Sequence, residues 1–146
     1  MALPEINFYE TDDGLIKSMA PILLKILDEK KKALIFANSQ SYLQEIDNAL
    51  WSYGRSKFIP HALIFDKDFE AQEQPILLTN QLQNTNNANY LIFFDEPEDL
   101  EFYKKFSRIF YFYEPNLLDK SNKIKTKPHN IFKKISGKWQ NTKINN

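Results

Sequence analysis

Cysteine is absent from this chain of 146 residues. Its absence excludes a disulfide framework, a thiolate zinc site and a cysteine nucleophile. Glycine is scarce, with three residues at Gly14, Gly54 and Gly137, so neither a G-x-G-x-x-G loop nor a P-loop can be assembled. The two histidines, His61 and His129, do not make a convincing metal cluster without cysteine. We therefore expect no metal site and no cofactor. No serine lies in the context of a nucleophile elbow, and the acidic clusters lie where loops or helix starts are predicted, so we also expect no catalytic residue.

Long apolar runs are also missing. No stretch approaches the ~20 residues that a transmembrane helix needs, and residues 1–10 lack the basic and apolar regions of a secretory signal. The lack of cysteine is consistent with a reducing compartment. We expect a cytoplasmic protein that does not associate with a membrane. Its length and its 42% hydrophobic content are those of one globular domain with a real core.

The formal net charge of zero hides an uneven distribution. Residues 1–114 contain 18 acidic and 11 basic side chains, a net charge of −7, whereas residues 115–146 contain eight lysines against Asp119 alone, a net charge of +7. A basic segment on an acidic body is typical of a docking site for an anionic partner. Nucleic acid and an acidic peptide both qualify. The alternative is a solvated tail that neutralises its own domain.

Apolar runs typical of strands alternate with amphipathic stretches at helical spacing. This order predicts right-handed βαβ crossovers, and therefore a single-domain α/β fold with a mostly parallel sheet and helices on both faces. Such a fold is Rossmann-like, here without a nucleotide site. We expect one domain over residues 1–139 and a frayed tail over residues 140–146. The predicted strands are residues 6–10, 33–37, 58–65, 76–79, 90–94 and 108–113.

Local signals predict where the helices begin and end. Ser18 as the N-cap of the first helix would place Pro21 in the first turn, where a missing N–H loses no intrahelical bond. Asn38-Ser39 can cap the second helix, and Gly54 stands where a helix C-terminal glycine belongs. The polar residues 84–89 predict an exposed turn. The predicted core stripe of the second helix is Tyr42, Ile46, Ala49 or Leu50, and Tyr53.

Large aromatic residues crowd the end of the second helix and the segment after it. Trp51, Phe58, Pro60 and His61 follow one another closely, with Arg55 between them. This composition is typical of a protein-binding hot spot. Composition alone favours the alternative that Trp51 and Phe58 cap the core, because aromatics at helical spacing are usually buried. For His61, we expect a hydrogen bond that fixes the loop.

The same residues carry a family resemblance. Ala49-Leu50-Trp51, a short polar loop, and then Phe58-Ile59-Pro60-His61-Ala62-Leu63 resemble the chi subunit of bacterial DNA polymerase III holoenzyme. The likeness extends upstream through Lys32–Ala37 to Asp13-Gly14-Leu15 and the first strand. It implies a non-catalytic adaptor in DNA replication with a Rossmann-like fold. Such an adaptor links the clamp-loader complex, through the small psi subunit, to the single-stranded-DNA-binding protein on the template, so that its contact with DNA is indirect.

The resemblance also implies two sites. The psi-facing surface would involve Trp51, Phe58, Pro60 and His61. The pocket for the acidic C-terminal tail of single-stranded-DNA-binding protein would follow the last strand of the family, in register with Tyr113 and Lys120. Capture of an acidic peptide with a free carboxylate needs basic groups beside an apolar pocket. The stretch that supplies these residue types comprises Tyr113, Leu117, Lys120, Lys123, Lys125 and Lys127.

The C-terminal segment departs from the family pattern and leaves alternatives open. Family members usually carry a regular Ala/Arg-rich helix there, whereas this chain has Asn, Thr and Pro128. One alternative is a direct single-stranded nucleic-acid-binding module, because Phe132 and Trp139 could provide stacking platforms among the lysines. A small enzyme or nucleotide binder on the same fold is another.

Overall fold

Strands and helices alternate along most of the chain. The computed structural model describes residues 5–10, 15–53, 59–66, 70–94, 100–113, 130–135 and 138–143. We label two short 3-10 helices η1 and η2. The elements are β1 (Glu5–Glu10), α1 (Leu15–Asp28), β2 (Ala33–Phe36), α2 (Gln40–Ser52), β3 (Ala62–Leu63), η1 (Ala71–Glu73), β4 (Ile76–Thr79), β5 (Tyr90–Phe93), η2 (Leu100–Lys105), β6 (Arg108–Tyr113), β7 (Asn130–Ile135) and β8 (Lys138–Lys143).

The eight strands within these ranges form one sheet in the order β3-β4-β2-β5-β6-β1-β7-β8. Each neighbouring pair is parallel except the antiparallel pair of β7 and β8. The connections through α1 and α2 run toward the β3 edge, whereas those through η1 and η2 run in the opposite direction. Right-handed crossovers therefore place the two sets on opposite faces. The predicted α/β fold is confirmed.

Two apolar cores flank the sheet because alternate residues of each strand lie on opposite faces. In β2, Ala33 and Ile35 belong to the core under α1 and α2. Leu34 and Phe36 belong to the core under η2, where Phe93 and Tyr111 stack with ring centroids 4.7 Å apart. Each fully buried side chain of the larger apolar types contributes about 1.5–3 kcal/mol. The core under η2 is formed mainly by Ile6, Phe8, Leu34, Phe36, Leu77, Leu91, Phe93, Phe102, Tyr103, Phe106, Ile109 and Tyr111.

Helix α1 begins earlier than the sequence predicts. It starts at Leu15, so Ser18 is not its N-cap and Pro21 lies inside the helix. The ring of Pro21 removes the N–H that would bond the carbonyl of residue 17. Because Pro21 is exposed while Met19 and Leu23 are fully buried, the core face of the helix overrides this local penalty.

Lys30, two residues after the last residue of α1, has a left-handed conformation with φ of 58°. The N–H of Lys30 donates to the carbonyl of Leu27 at 2.9 Å, and that of Lys31 donates to Ile26 at 3.0 Å. These two bonds are those of a Schellman motif, in which the left-handed position normally holds glycine. No glycine marks this helix end in the sequence.

Helix α2 begins as predicted and packs through the predicted stripe, which Leu43 and Asp47 widen. The Oγ atom of Ser39 accepts from the N–H of Tyr42, which makes Ser39 the N-cap. Tyr53 is the C-cap, and the predicted terminal glycine, Gly54, lies outside the described residues. The buried residues of α2 are Leu43, Ile46, Asp47 and Leu50, whereas Tyr42 and Tyr53 are only partly buried. Ile46 and Leu50 were therefore predicted correctly, and the position of the charged Asp47 was not.

The asparagine-rich segment before β5 forms the predicted turn, but its residues are mostly buried or half-buried rather than exposed. The Nδ2 atom of Asn86 donates to the carbonyls of Ala33 at 3.1 Å and Gln74 at 3.0 Å. Asn89 accepts from the N–H of Lys32 at 3.0 Å. These amides satisfy backbone groups at the amino ends of β2 and β4 that the strand ladder does not pair. Only Asn87 of the asparagines in this segment is exposed.

The C-terminal part of the sheet corrects another expectation. The sequence predicts a frayed tail from residue 140, whereas β8 continues to Lys143 and pairs with β7 over its whole length. β7 in turn pairs with β1, with Phe8 opposite Ile131. A strand that depends on such distant pairing has little local signal in the sequence. In the part of the chain that the structure describes, no helix is long and apolar enough to cross a membrane.

Candidate protein-interaction site

Trp51 stands out on the surface of the last turn of α2. It is 57% exposed, and Leu82 at 39% is the other large hydrophobic side chain exposed among the residues whose side chains the structure describes. The exposure of Trp51 contradicts the alternative in which it caps the core. A large aromatic on the surface is typical of an interaction anchor.

The ring of His61 packs against the ring of Trp51. The side chain of His61 is completely buried, and its ring centroid lies 4.6 Å from that of Trp51 at an interplanar angle of 49°. This contact puts the indole on a fixed neighbouring ring while one side of it remains exposed. Because His61 does not reach the surface, it can act on a partner only through Trp51 or the adjacent backbone.

The two nitrogens of His61 face two acceptors. Nδ1 lies 2.7 Å from the carbonyl oxygen of Ile59, and since a carbonyl can only accept, Nδ1 carries a proton and donates. This bond confirms the expectation that His61 fixes its loop. Nε2 lies 3.0 Å from the Oδ1 atom of Asp47, close enough for an ion pair but without the alignment of a hydrogen bond.

Asp47 is the residue of this site that the sequence analysis missed. It lies one turn before Trp51 on α2, and its Oδ2 atom accepts from Gln44 at 3.3 Å. Residues four apart share one side of a helix, so the spacing of Asp47 and Trp51 was a usable signal. Its significance depends on His61, which only the fold brings alongside.

The remaining residues of the predicted psi-facing surface have different outcomes. Pro60 is half-buried beside His61, while Phe58 lies outside the described residues. We define the aromatic corner as Trp51, Pro60 and His61. Strands β2 and β3 are both parallel to β4, so α2 returns the chain from the carboxyl ends of the strands to their amino ends. We call these two ends of the sheet its carboxyl edge and its amino edge. The aromatic corner therefore lies at the amino edge.

The predicted pocket for an acidic tail is only partly within the described residues. Tyr113 is the last residue of β6, at the carboxyl edge of the sheet, and its backbone pairs with that of Glu10 in β1. Since β3 and β6 are four strands apart in the sheet, the lateral separation is about 19 Å. Tyr113 and the aromatic corner thus lie at opposite edges. Leu117, Lys120, Lys123, Lys125 and Lys127 lie outside the described residues.

No cluster of three or more metal-ligating side chains occurs within the ranges that the structure covers. The site contains a close contact of Asp47 with His61. Gln44 bonds the carboxylate of Asp47, and the carbonyl of Ile59 bonds the ring of His61. The arrangement offers an apolar surface on a rigid polar support, which suits binding rather than bond-making chemistry.

Known proteins resemble this chain in fold or in sequence. The fold resembles the C-terminal domain of a possible DNA helicase from Lactobacillus plantarum WCFS1, with a TM-score of 0.50, 10% identity, and coverage of 77% of this chain and 74% of that one. At this identity the likeness concerns the fold alone. In sequence, the chain is 30% identical over 115 residues to a probable DNA polymerase III subunit chi from Rickettsia prowazekii, covering 73% of this chain and 68% of that protein.

A family model gives the same result. Residues 3–124 match the DNA polymerase III chi subunit, HolC. The match includes the aromatic corner and β1 to β6, and it ends before β7 and β8. Chi subunits are non-catalytic accessory subunits of DNA polymerase III, which act in DNA replication. The match and the relative together show that this chain belongs to the DNA polymerase III chi subunit family.

Proposed function

We propose that this chi-family chain is an adaptor that links the clamp-loader complex, through a psi subunit, to the acidic C-terminal tail of single-stranded-DNA-binding protein. The observation that carries the proposal is the 57% exposure of Trp51 above a buried histidine. Family membership supports a role within the polymerase holoenzyme, and the aromatic corner and the lysine-rich sequence after β6 support the two partners.

The aromatic corner is the proposed psi-binding surface. Trp51 offers a large apolar area at low conformational cost, which is why tryptophan is enriched at the centres of interfaces. Pro60 beside it is half-buried and rigid in φ, so little order has to be gained there on binding. Phe58, two residues before Pro60 in the sequence, is the remaining residue of the proposed surface.

The segment after β6 is the proposed site for the acidic tail. Tyr113 ends β6 at the carboxyl edge, and Lys120, Lys123, Lys125 and Lys127 follow it in sequence. Each exposed ion pair contributes only ~0.2–1 kcal/mol. Several must therefore act together with an apolar contact, Leu117 being the candidate, and the affinity should fall with salt.

The opposite positions of the aromatic corner and Tyr113 favour an adaptor. A protein that joins two partners must bind both at once, and a second site that begins at Tyr113 would start at the edge of the sheet opposite the aromatic corner. A rigid parallel sheet with a core on each face would keep the distance between the partners constant.

An affinity pull-down from the source cell's lysate tests the proposal. The full chain is compared with Trp51→Ala and Lys120→Glu, and the captured clamp-loader and single-strand-coating proteins are quantified by mass spectrometry. We expect Trp51→Ala to lose the clamp-loader proteins and to retain the coating protein, and Lys120→Glu to do the reverse. Capture of neither partner by the unmodified chain would contradict the adaptor.

One observation favours a second function, direct binding of single-stranded nucleic acid. β7 and β8 carry Lys133, Lys134, Lys138 and Lys143 and no acidic residue, with Trp139 paired in register to Lys134. Basic groups with aromatic residues are the composition of single-strand binders. A gel shift discriminates, because an adaptor should shift an oligonucleotide only when the coating protein is present, whereas a direct binder shifts it alone.

A further inference from the structure

The core beside α2 contains a polar pair where apolar residues would pack well. Asp47 shares the buried side of α2 with Leu43, Ile46 and Leu50, and the side chain of His61 is fully buried. Replacing a buried ion pair with hydrophobic residues of similar size is often neutral or stabilising. The pair is therefore a poor means of stabilising the fold, and another property must distinguish it.

That property is the fixed orientation of the His61 ring. The Nδ1–H of His61 is held by the carbonyl of Ile59 at 2.7 Å, which fixes the ring relative to its own segment. The opposite nitrogen lies 3.0 Å from Asp47, and Asp47 is held from behind by Gln44. A hydrogen bond at one nitrogen and a close carboxylate at the other restrict the position of the imidazole, which a leucine or phenylalanine in the same space would not do.

The fixed ring is the surface on which Trp51 rests. Asp47 and Trp51 lie one turn apart on α2, so the same helix holds both the carboxylate that anchors the imidazole and the indole that packs on it, at 4.6 Å between centroids. An exposed side chain that must be ordered when a partner binds weakens the complex. A side chain that is already ordered avoids this penalty.

We infer that Asp47 and His61 are a positioning pair that holds the indole of Trp51 in its binding orientation before any partner arrives. Asp47 does not contact the partner and acts through the imidazole. The pair thus tunes the affinity of the aromatic corner. The identity of the partner, but not the ordering of Trp51, rests on the proposed function.

Fluorine NMR of the full chain labelled with 5-fluorotryptophan tests the ordering directly. The chain has two tryptophans, Trp51 and Trp139, and Trp51→Phe assigns the two signals. We expect Asp47→Ala to move and broaden the Trp51 signal toward that of a mobile indole, while the Trp139 signal stays in place. Asp47→Asn should largely restore the signal, because its Nδ2 can donate to a neutral Nε2 while its oxygen still accepts from Gln44.

Two further variants separate ordering from stability. Asp47→Leu fills the space but cannot anchor the ring, so it should also move and broaden the Trp51 signal. It provides a folded protein for the measurement if Asp47→Ala does not fold. Ile109→Val removes one methylene from a fully buried residue in the core under η2, on the other face of the sheet, and lowers stability away from the corner. It should leave the Trp51 signal unchanged. An unmoved Trp51 signal in folded Asp47→Leu would overturn the inference.

The affinity for a purified psi subunit gives the second measurement. We expect Asp47→Ala or Asp47→Leu to weaken binding by about two- to tenfold, the effect of ordering one side chain on association, and Trp51→Ala to abolish it. No effect of Trp51→Ala would contradict the proposed function instead. Loss in Trp51→Ala with full affinity in both Asp47 variants would refute the positioning pair alone.

Discussion

The Nε2 atom of His61 lies 3.0 Å from the Oδ1 atom of Asp47, which joins the segment before β3 to the middle of α2. This contact ties together two pieces of chain that meet at the amino edge of the sheet. It also predicts a distinctive pattern of stability changes.

Removing one member of the pair should destabilise the protein more than replacing both. We expect Asp47→Ala to lower the free energy of unfolding by about 3 kcal/mol, because it leaves a buried imidazole without its anionic partner. The double variant Asp47→Leu with His61→Phe should remain within about 1 kcal/mol of the unmodified protein. Urea unfolding of Asp47→Leu, His61→Phe and their combination measures the coupling. Simple additivity of the two single changes would refute it.

Trp51→Ala should leave the fold intact. Its side chain is largely exposed, so we expect a change in the free energy of unfolding of no more than about 1 kcal/mol, together with loss of clamp-loader proteins in a pull-down. Leu82→Ala is the matched control, since it also removes an exposed hydrophobic side chain and should retain the partner. Unfolding of the Trp51 variant would mean that the residue is structural.

Lys120→Glu should weaken binding of a peptide with the acidic C-terminal sequence of single-stranded-DNA-binding protein. The charge reversal replaces an attraction by a repulsion, and we expect at least a fivefold loss, equivalent to about 1 kcal/mol. Lys31→Glu makes the same charge change at an exposed position in the turn after α1 and should have little effect. Titrations at two salt concentrations complete the measurement. Equal affinities of all three proteins would exclude Lys120 from the site.

Lys30→Gly should stabilise the protein. Lys30 has φ of 58° at the end of α1, where a residue with a Cβ atom is strained by about 1 kcal/mol and glycine is not. Thermal unfolding should show a small rise in Tm. The matched control is Asn87→Gly at φ of 53°, which should gain less because asparagine tolerates this region. A fall in Tm for Lys30→Gly would contradict the assignment of the helix end.

Asn86→Ala should be strongly destabilising. Its Nδ2 atom donates to the carbonyls of Ala33 and Gln74, and its loss leaves two carbonyls short of a donor at about 1–3 kcal/mol each. We expect a loss of about 2–6 kcal/mol in urea unfolding. Gln83→Ala, at an exposed position in the same segment, should change the stability little. Similar effects of both changes would refute a stabilising role for the hydrogen bonds of Asn86.

Strong local periodicity explains which elements could be predicted. The apolar run of residues 33–37 predicted β2, and the polar pair Asn38-Ser39 predicted the start of α2, where Ser39 is the N-cap. Weak local signals explain the errors. Pro21 suggested a later start for α1, and the isolated lysines of residues 138–143 concealed β8, because packing and strand pairing outweighed local preference in both places.

By itself, the sequence determined the type and order of most elements, the absence of a glycine-rich phosphate loop, and the residues that identify the family. These are properties of neighbouring residues or of short spacings, which a linear pattern retains. Only the tertiary structure decided that Trp51 is exposed, that His61 is buried beneath it, and that Asp47 holds the imidazole. Exposure and pairing depend on how α2 packs against the segment entering β3, and no local pattern contains that relationship.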